Sequence, residues 1–365
     1  METHEAVTIY LDYQATTPIA PEAYAAMVPW LSDGFANPHS SHKLGRAAAA
    51  AVEVARDQVA ALLPTGGRLF FTSGATEALN WAIKGSVKSG DTISFADSEH
   101  AAVRDTALWL GAQGTAINIL PLNNDGLIEQ VTLPTGLAAV MMVNNEIGTI
   151  QPIAALAETA HEAGALFLCD AVQAYGRIDI PEGPDMIAIS AHKIHGPKGI
   201  GALWVRDGIS LEPLLHGGGQ EGGLRSGTLS PALCAGFGVA AALSAERMAD
   251  DYAHVTALAA KALERLSDGW IINGSQEHRY PGNLNIRIDG LDSARLISEV
   301  RGVALSSGSA CASGSGRSSH VLRAIGLSET QARSSLRLGF GRYTTHPELE
   351  AALDQIITAA ESQLR

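Results

Sequence analysis

Between residues 68 and 205, short apolar runs return at intervals that leave room for a helix between one run and the next. Leu69–Thr72, Thr92–Ala96, Ala116–Leu120, Ala139–Val143, Leu166–Cys169, Met186–Ser190 and Ala202–Val205 read as buried strands. Amphipathic segments such as Ala78-Leu79-Asn80-Trp81-Ala82-Ile83 lie between them, so the pattern predicts an α/β fold with a mostly parallel, seven-stranded sheet covered by helices. Alanine-rich stretches at Ala47–Ala61 and Ala235–Ala249 predict helices, the second joining the sheet to the C-terminal part of the chain. Past it the rhythm loosens. A helix near Val255–Leu266, a strand at Asn283–Ile288, a helix at Ser293–Val300, a Ser/Gly loop around Cys311 and a terminal helix read as a smaller α+β domain. There is no internal repeat, and Ser306–Ser319 is the one low-complexity tract.

Composition fits that division. At 365 residues the chain exceeds one typical core, and 46% hydrophobic with 17% charged residues describes a globular protein. A net charge of −13 argues against general affinity for nucleic acid or anionic membranes, while leaving room for a local basic patch. Met1-Glu2-Thr3-His4-Glu5 lacks the basic and apolar blocks of a signal peptide, and no uncharged apolar run is long enough to cross a bilayer. Three widely separated cysteines suggest reduced thiols; with the signal-free N-terminus they give a cytoplasmic expectation.

Three strand ends carry candidate chemistry. Ala188-Ile189-Ser190-Ala191-His192-Lys193, followed by Gly196-Pro197-Lys198-Gly199, puts a lysine at the mouth of an apolar strand beside hydroxyl and imidazole groups. Desolvation there favours the neutral amine, which can form a Schiff base. A solvated loop lysine is the plainer alternative. Phe70-Phe71-Thr72 runs into Ser73-Gly74-Ala75-Thr76-Glu77, where small residues at a helix start let backbone N–H groups approach a phosphate. An ordinary capped helix start suits the same residues equally well, and neither the P-loop nor the dinucleotide glycine pattern fits. Leu166-Phe167-Leu168-Cys169-Asp170 delivers an acid to a strand's carboxyl end, where open α/β sheets bind ligands. Asp170 suits either a protonated pyridine nitrogen or a helix N-cap, with Gln173 three residues on.

Together a Schiff-base lysine, a phosphate cradle and a strand-end acid specify pyridoxal 5'-phosphate. At this point the chain resembles the cysteine desulfurases of the nitrogen-fixation and iron–sulfur-assembly type, within the fold-type I pyridoxal phosphate enzymes. The resemblance rests on ordered segments: Tyr10-Leu11-Asp12-Tyr13-Gln14-Ala15-Thr16-Thr17-Pro18, Thr72–Glu77, the Asp170 strand, Val143-Asn144-Asn145-Glu146-Ile147-Gly148, His192–Gly199, Arg225-Ser226-Gly227-Thr228 and Ser306-Ser307-Gly308-Ser309-Ala310-Cys311. It implies a large cofactor-binding domain over 15–250 and a small one built from 1–14 and 251–365 that carries the catalytic cysteine loop.

The resemblance also implies roles. Lys193, Cys311 and His100 are catalytic. Gly74, Ala75, Thr76, Ser190 and His192 hold the phosphate, His100 stacks on the ring, Asp170 meets its nitrogen, and Gln173 and Asn145 reach its phenolic oxygen. Asn145 and Arg337 bind the substrate carboxylate. Thr228 reaches the phosphate of a partner subunit, implying a homodimer. L-cysteine becomes alanine, and Cys311 carries a persulfide to a sulfur-acceptor protein, either an iron–sulfur scaffold or a sulfur carrier. Cys311 sits among serines and glycines, whereas Cys169 and Cys234 fit buried, inert positions. An aminotransferase or selenocysteine lyase shares Lys193 and Asp170, and the thiol loop separates the first from a desulfurase.

Two departures bear on sulfur handover. The chain ends at Arg365, soon after its last helix, and Gly222-Gly223 follows Gln220-Glu221 where relatives commonly carry a basic residue. Both suggest a different arrangement for an acidic acceptor. The glycine-rich stretch after Cys311 is expected to be poorly ordered on its own.

Overall fold

The computed structural model describes residues 8–129, 132–266, 269–308 and 318–365. The expectations about Cys311 and the loop after it therefore lie outside the described residues.

A short strand β1 (Ile9–Tyr10) leads to α1 (Pro21–Leu31) and α2 (Lys43–Ala60). The stripe Gly45, Ala48, Val52, Ala55 and Val59 recurs every three or four positions and is the buried face of α2. The main sheet then builds from β2 (Gly67–Thr72), β3 (Thr92–Ala96), β4 (Ala116–Leu120), β5 (Gly136–Met141), β6 (Leu166–Asp170), β7 (Met186–Ser190) and β8 (Gly201–Arg206). Helices α3 (Ala75–Ser86), α4 (Ala101–Gly111) and α5 (Ile153–Glu162) connect them. The order across this seven-stranded sheet is β2-β8-β7-β6-β5-β3-β4, with β8 antiparallel to both neighbours and the other pairs parallel. Every residue of β7 is buried, as a central strand covered on both faces requires.

The chain runs β3 to β4 toward one edge, then restarts at β5 on the other side of β3 and proceeds through β6 and β7. That reversal brings the carboxyl ends of β3, β5, β6 and β7 around one crevice, the position where doubly wound sheets take ligands. At its rim β8 passes the turn that starts α3. A Cβ on Gly201 would lie 2.8 Å from Gly74 Cα and 2.6 Å from Ile189 O, so only glycine permits this approach.

One finding differs from the sequence expectation. The helices expected at 235–249 and 255–266 are a single helix, α6 (Pro231–Arg265), 35 residues long and capped by Ser230 Oγ accepting from Leu233 N. The polar stretch that suggested a break is polar because of its neighbours: Asp251 pairs with Arg342 at 2.7 Å, and His254 Nε2 donates to Thr344 O at 2.9 Å. Length and apolar content would let α6 cross a bilayer, but it packs instead on α1, α2 and the terminal helix α10 (His346–Leu364).

The remaining strands β9 (Ile271–Ile272), β10 (Asn283–Arg287), β11 (Val303–Ala304) and β12 (Ser335–Gly339) accompany α7 (Ser293–Glu299), α8 (His320–Ala324) and α9 (Glu329–Arg333). A three-stranded sheet runs β12-β10-β9, and β11 pairs in parallel with β1, which ties the N-terminal segment to this second unit.

Candidate active site

A cavity of about 670 Å³ opens at the carboxyl ends of the main sheet. It gathers Gly74, Ala75, Thr76, His100, Asn145, Asp170, Gln173, Ser190, His192, Lys193 and Arg337, all of them expected from the sequence to share one site. Thr228 is exposed and lies outside this lining.

Lys193 follows β7 on a single helical turn, Ala191–Lys193. Its Nζ donates to the carbonyl oxygens of Gln14 at 2.6 Å and Ala15 at 2.8 Å. Burial, reinforced by the guanidinium groups of Arg177 and Arg337, pushes the amine down to about 7. Both hydrogens of the neutral amine are then held by carbonyls, and its lone pair is left for chemistry.

Asp170 ends β6, 3% exposed. Its Oδ1 accepts from Val172 N at 3.0 Å, and it makes no ion pair among the described residues. Burial raises its pKa, while His100 and Lys193 oppose the shift. No helix follows β6 before β7, so the helix N-cap reading does not hold: the carboxylate accepts from the amide two residues on within a turn, and it lines the cavity. His100 combines roles in the same way. Its Nδ1 accepts from Ala102 N at 3.1 Å, capping α4, and burial lowers its pKa, so the ring is neutral.

Two expected binding groups are already engaged. Gln173 Nε2 donates to Gln14 O at 2.9 Å, and its Oε1 accepts from Arg177 Nη1 at 2.7 Å, so one N–H and one oxygen lone pair of the amide remain. Arg337 is no surface residue: 1% exposed, it donates to Asp12 Oδ1 at 2.7 Å, Ser306 Oγ at 3.0 Å and Asn145 O at 3.0 Å, leaving Nε without a partner among the described residues. The free guanidinium fork expected from the sequence is thus partly occupied by Asp12. His192 Nδ1 lies 3.1 Å from Thr16 Oγ1, and burial with Lys193 alongside pushes it down to about 4.

Sequence reasoning missed Asp12, Glu99, Glu146, Arg177 and His320 as members of this neighbourhood. Glu99 is buried, accepts from Met141 N at 2.9 Å through Oε1, and leaves Oε2 unpartnered among the described residues; burial pushes its pKa well up. Glu146 accepts from Ser319 Oγ. Asp12 and Glu146 stood inside quoted motifs, and Glu99 directly before His100, but nothing local marked their contacts. Beside Gly222-Gly223, Glu221 bonds Arg56 at 2.7 Å and Phe71 N at 2.8 Å, and Gly222 takes φ 67°, a left-handed turn that glycine allows without strain.

The donor set fits pyridoxal 5'-phosphate. An uncompensated buried carboxylate awaits a cationic ring nitrogen, a neutral lysine awaits an aldehyde, and the α3 start with Ser190 and His192 awaits a phosphate. Fold and site together define a fold-type I pyridoxal phosphate enzyme.

Residues 9–352 match the family model of the class-V aminotransferases. The chain is 42% identical over 369 residues to cysteine desulfurase IscS of Rickettsia rickettsii (strain Iowa), covering 95% of this chain and 90% of that one. Among solved structures, a NifS-like protein superposes with TM-score 0.90 at 30% identity, covering 98% of this chain and 100% of that one. A structure described as SspA in complex with cysteine gives TM-score 0.81 at 34% identity, covering 93% and 100%. The chain therefore belongs to the class-V aminotransferase family, in its cysteine desulfurase branch, and its cofactor is pyridoxal 5'-phosphate.

Proposed function

We propose that the protein is a cysteine desulfurase that converts L-cysteine to L-alanine and passes the sulfur through Cys311 to an acceptor protein. The observation that carries this reading is Lys193: a neutral amine held by two carbonyls in the same cavity as an uncompensated Asp170. When bound, pyridoxal 5'-phosphate supplies an electron sink for charge that develops at the substrate α-carbon.

The chain's own residues do the rest. Asp170 keeps the ring nitrogen protonated. Arg337 Nε and Asn145 hold the substrate carboxylate and so orient the α-hydrogen. Lys193, unprotonated above about pH 7, takes that proton. The Cys311 thiolate attacks the substrate sulfur, forming the S–S bond as the C–S bond breaks. The bond's electron pair stays with the carbon skeleton, which is protonated to alanine. No external oxidant is needed, because the thiol becomes a persulfide as the carbon is reduced.

Exposed Thr228 extends to a partner's phosphate, making two shared sites in a homodimer. Residues 15–250 form the cofactor-binding domain, and 1–14 with 251–365 the smaller one; separation of the seven-stranded sheet from the two smaller ones supports this division. The acceptor is an iron–sulfur scaffold or sulfur carrier, and the acidic protein works in the cytoplasm without direct nucleic-acid or membrane contact.

Incubating the loaded protein with L-cysteine, quantifying alanine and weighing the Cys311 peptide tests the reading. Equimolar alanine and sulfur, with a gain of one sulfur atom on Cys311, is expected. Absence of alanine, or sulfur release unchanged by Cys311→Ser, overturns it.

A further inference from the structure

His100 and His320 face one cavity with opposite hydrogen-bonding polarity. His100 Nδ1 accepts the amide hydrogen of Ala102, so its neutral ring carries the proton on Nε2 and offers a donor. His320 Nε2 lies 2.9 Å from the carbonyl oxygen of Glu99. A carbonyl only accepts, so this nitrogen holds a proton, and in the neutral ring Nδ1 holds the lone pair. Nδ1 has no hydrogen-bond partner among the described residues, and the ring lines the cavity with Lys193, Asn145 and Arg337.

The anchorage of this ring is firm. Ser319 Oγ accepts from Leu322 N at the start of α8 and donates to the buried carboxylate of Glu146. Glu99, whose carbonyl receives His320, is itself 1% exposed and tied to β5 through Met141 N. Besides the imidazoles, acceptor oxygens remain on the buried carboxylates of Asp170 and Glu99. Gln173 Oε1 accepts from Arg177, and Lys193 and Arg337 act as donors. Of the two imidazoles, His320 is the one whose tautomer leaves an acceptor for the cavity.

We propose that His320 receives the side chain of the substrate: Nδ1 accepts a hydrogen bond from the S–H of bound L-cysteine and selects a thiol over a methyl group. This assignment rests on the desulfurase reading above and adds to it the residue that recognises sulfur. His320 is a substrate-binding residue, distinct from Arg337 and Asn145, which take the carboxylate end common to all amino acids.

Two substitutions separate the ring's two nitrogens. His320→Gln can keep a donor to the Glu99 carbonyl and lose the acceptor; His320→Asn can keep the acceptor at the Nδ1 position and lose that donor. Each is made in a Cys311→Ala background, checked for an unchanged melting curve, loaded with pyridoxal 5'-phosphate and titrated with L-cysteine and L-alanine by absorbance. His320→Gln is expected to weaken cysteine about fivefold and leave alanine within about twofold, while His320→Asn preserves the cysteine preference. Equal weakening of both ligands by His320→Gln, or unchanged cysteine affinity, overturns the proposal. Alanine formation by the unsubstituted enzyme is measured separately, so a chain that makes no alanine sinks the desulfurase reading, and one that makes alanine without the selectivity shift sinks only the role of His320.

Discussion

Asp170 and Arg337 are both charged side chains withdrawn from water into one cavity, and the protein treats them oppositely. Arg337 is answered from within by Asp12, Ser306 and the Asn145 carbonyl. Among the described residues Asp170 receives one backbone amide and no cation. Burying a charge without a partner costs several kcal/mol, so the chain balances the charge that holds its two sheets' neighbourhoods together and leaves open the one that a cofactor will balance. Folding then needs no ligand at Arg337, whereas loading should add stability at Asp170.

The largest expected effect breaks the open side. Asp170→Ala should lower kcat by roughly 10²–10³, read by alanine formation with cofactor occupancy followed by absorbance. A fall below tenfold at full occupancy contradicts its role. Next, Asp12→Ala strands the Arg337 charge and should cost about 3 kcal/mol in urea unfolding, with Arg337→Met, which removes the charge itself, costing less. If Arg337→Met is the worse of the two, the pairing is not what stabilises this region.

A gentler probe is the pH dependence of Lys193 in the cofactor-free protein. A depressed pKa means the amine is neutral above it, so labelling of Lys193 by an acylating reagent should rise through about pH 7 rather than near 10.5. Arg177→Met removes a nearby cation and should move that midpoint upward. A midpoint that stays put shows that burial alone sets it. The smallest effect is a control: Arg333–Glu329, both 62% exposed, should contribute under about 0.5 kcal/mol when either partner is replaced by alanine.

The same contrast separates residues that sequence could disclose from those it hid. Lys193, Asp170 and the Gly74 turn each sit at or just past the end of a strand, so their neighbours in the chain announce them. Asp12 and Arg337 are 325 positions apart, and neither carries a local sign that it will meet the other. His320 was hidden for a similar reason. Its mark is a contact with a backbone carbonyl of the segment holding His100, and backbone atoms leave no trace in residue type. The sheet was legible for the opposite reason, because burial on both faces writes apolar runs into the strands themselves. The α6 region was misjudged where charge mimicked a break, although no glycine or proline interrupts Glu246–His254.

That rod has a mechanical corollary. At roughly 1.5 Å per residue, α6 is some 50 Å of uninterrupted hydrogen-bonded backbone lying against helices of both halves. Any swing that prised the halves apart would have to bend that beam, so the helix resists widening of the aperture between them. Enlarging it for a bulkier amino acid is therefore a matter of trimming the walls, one side chain at a time.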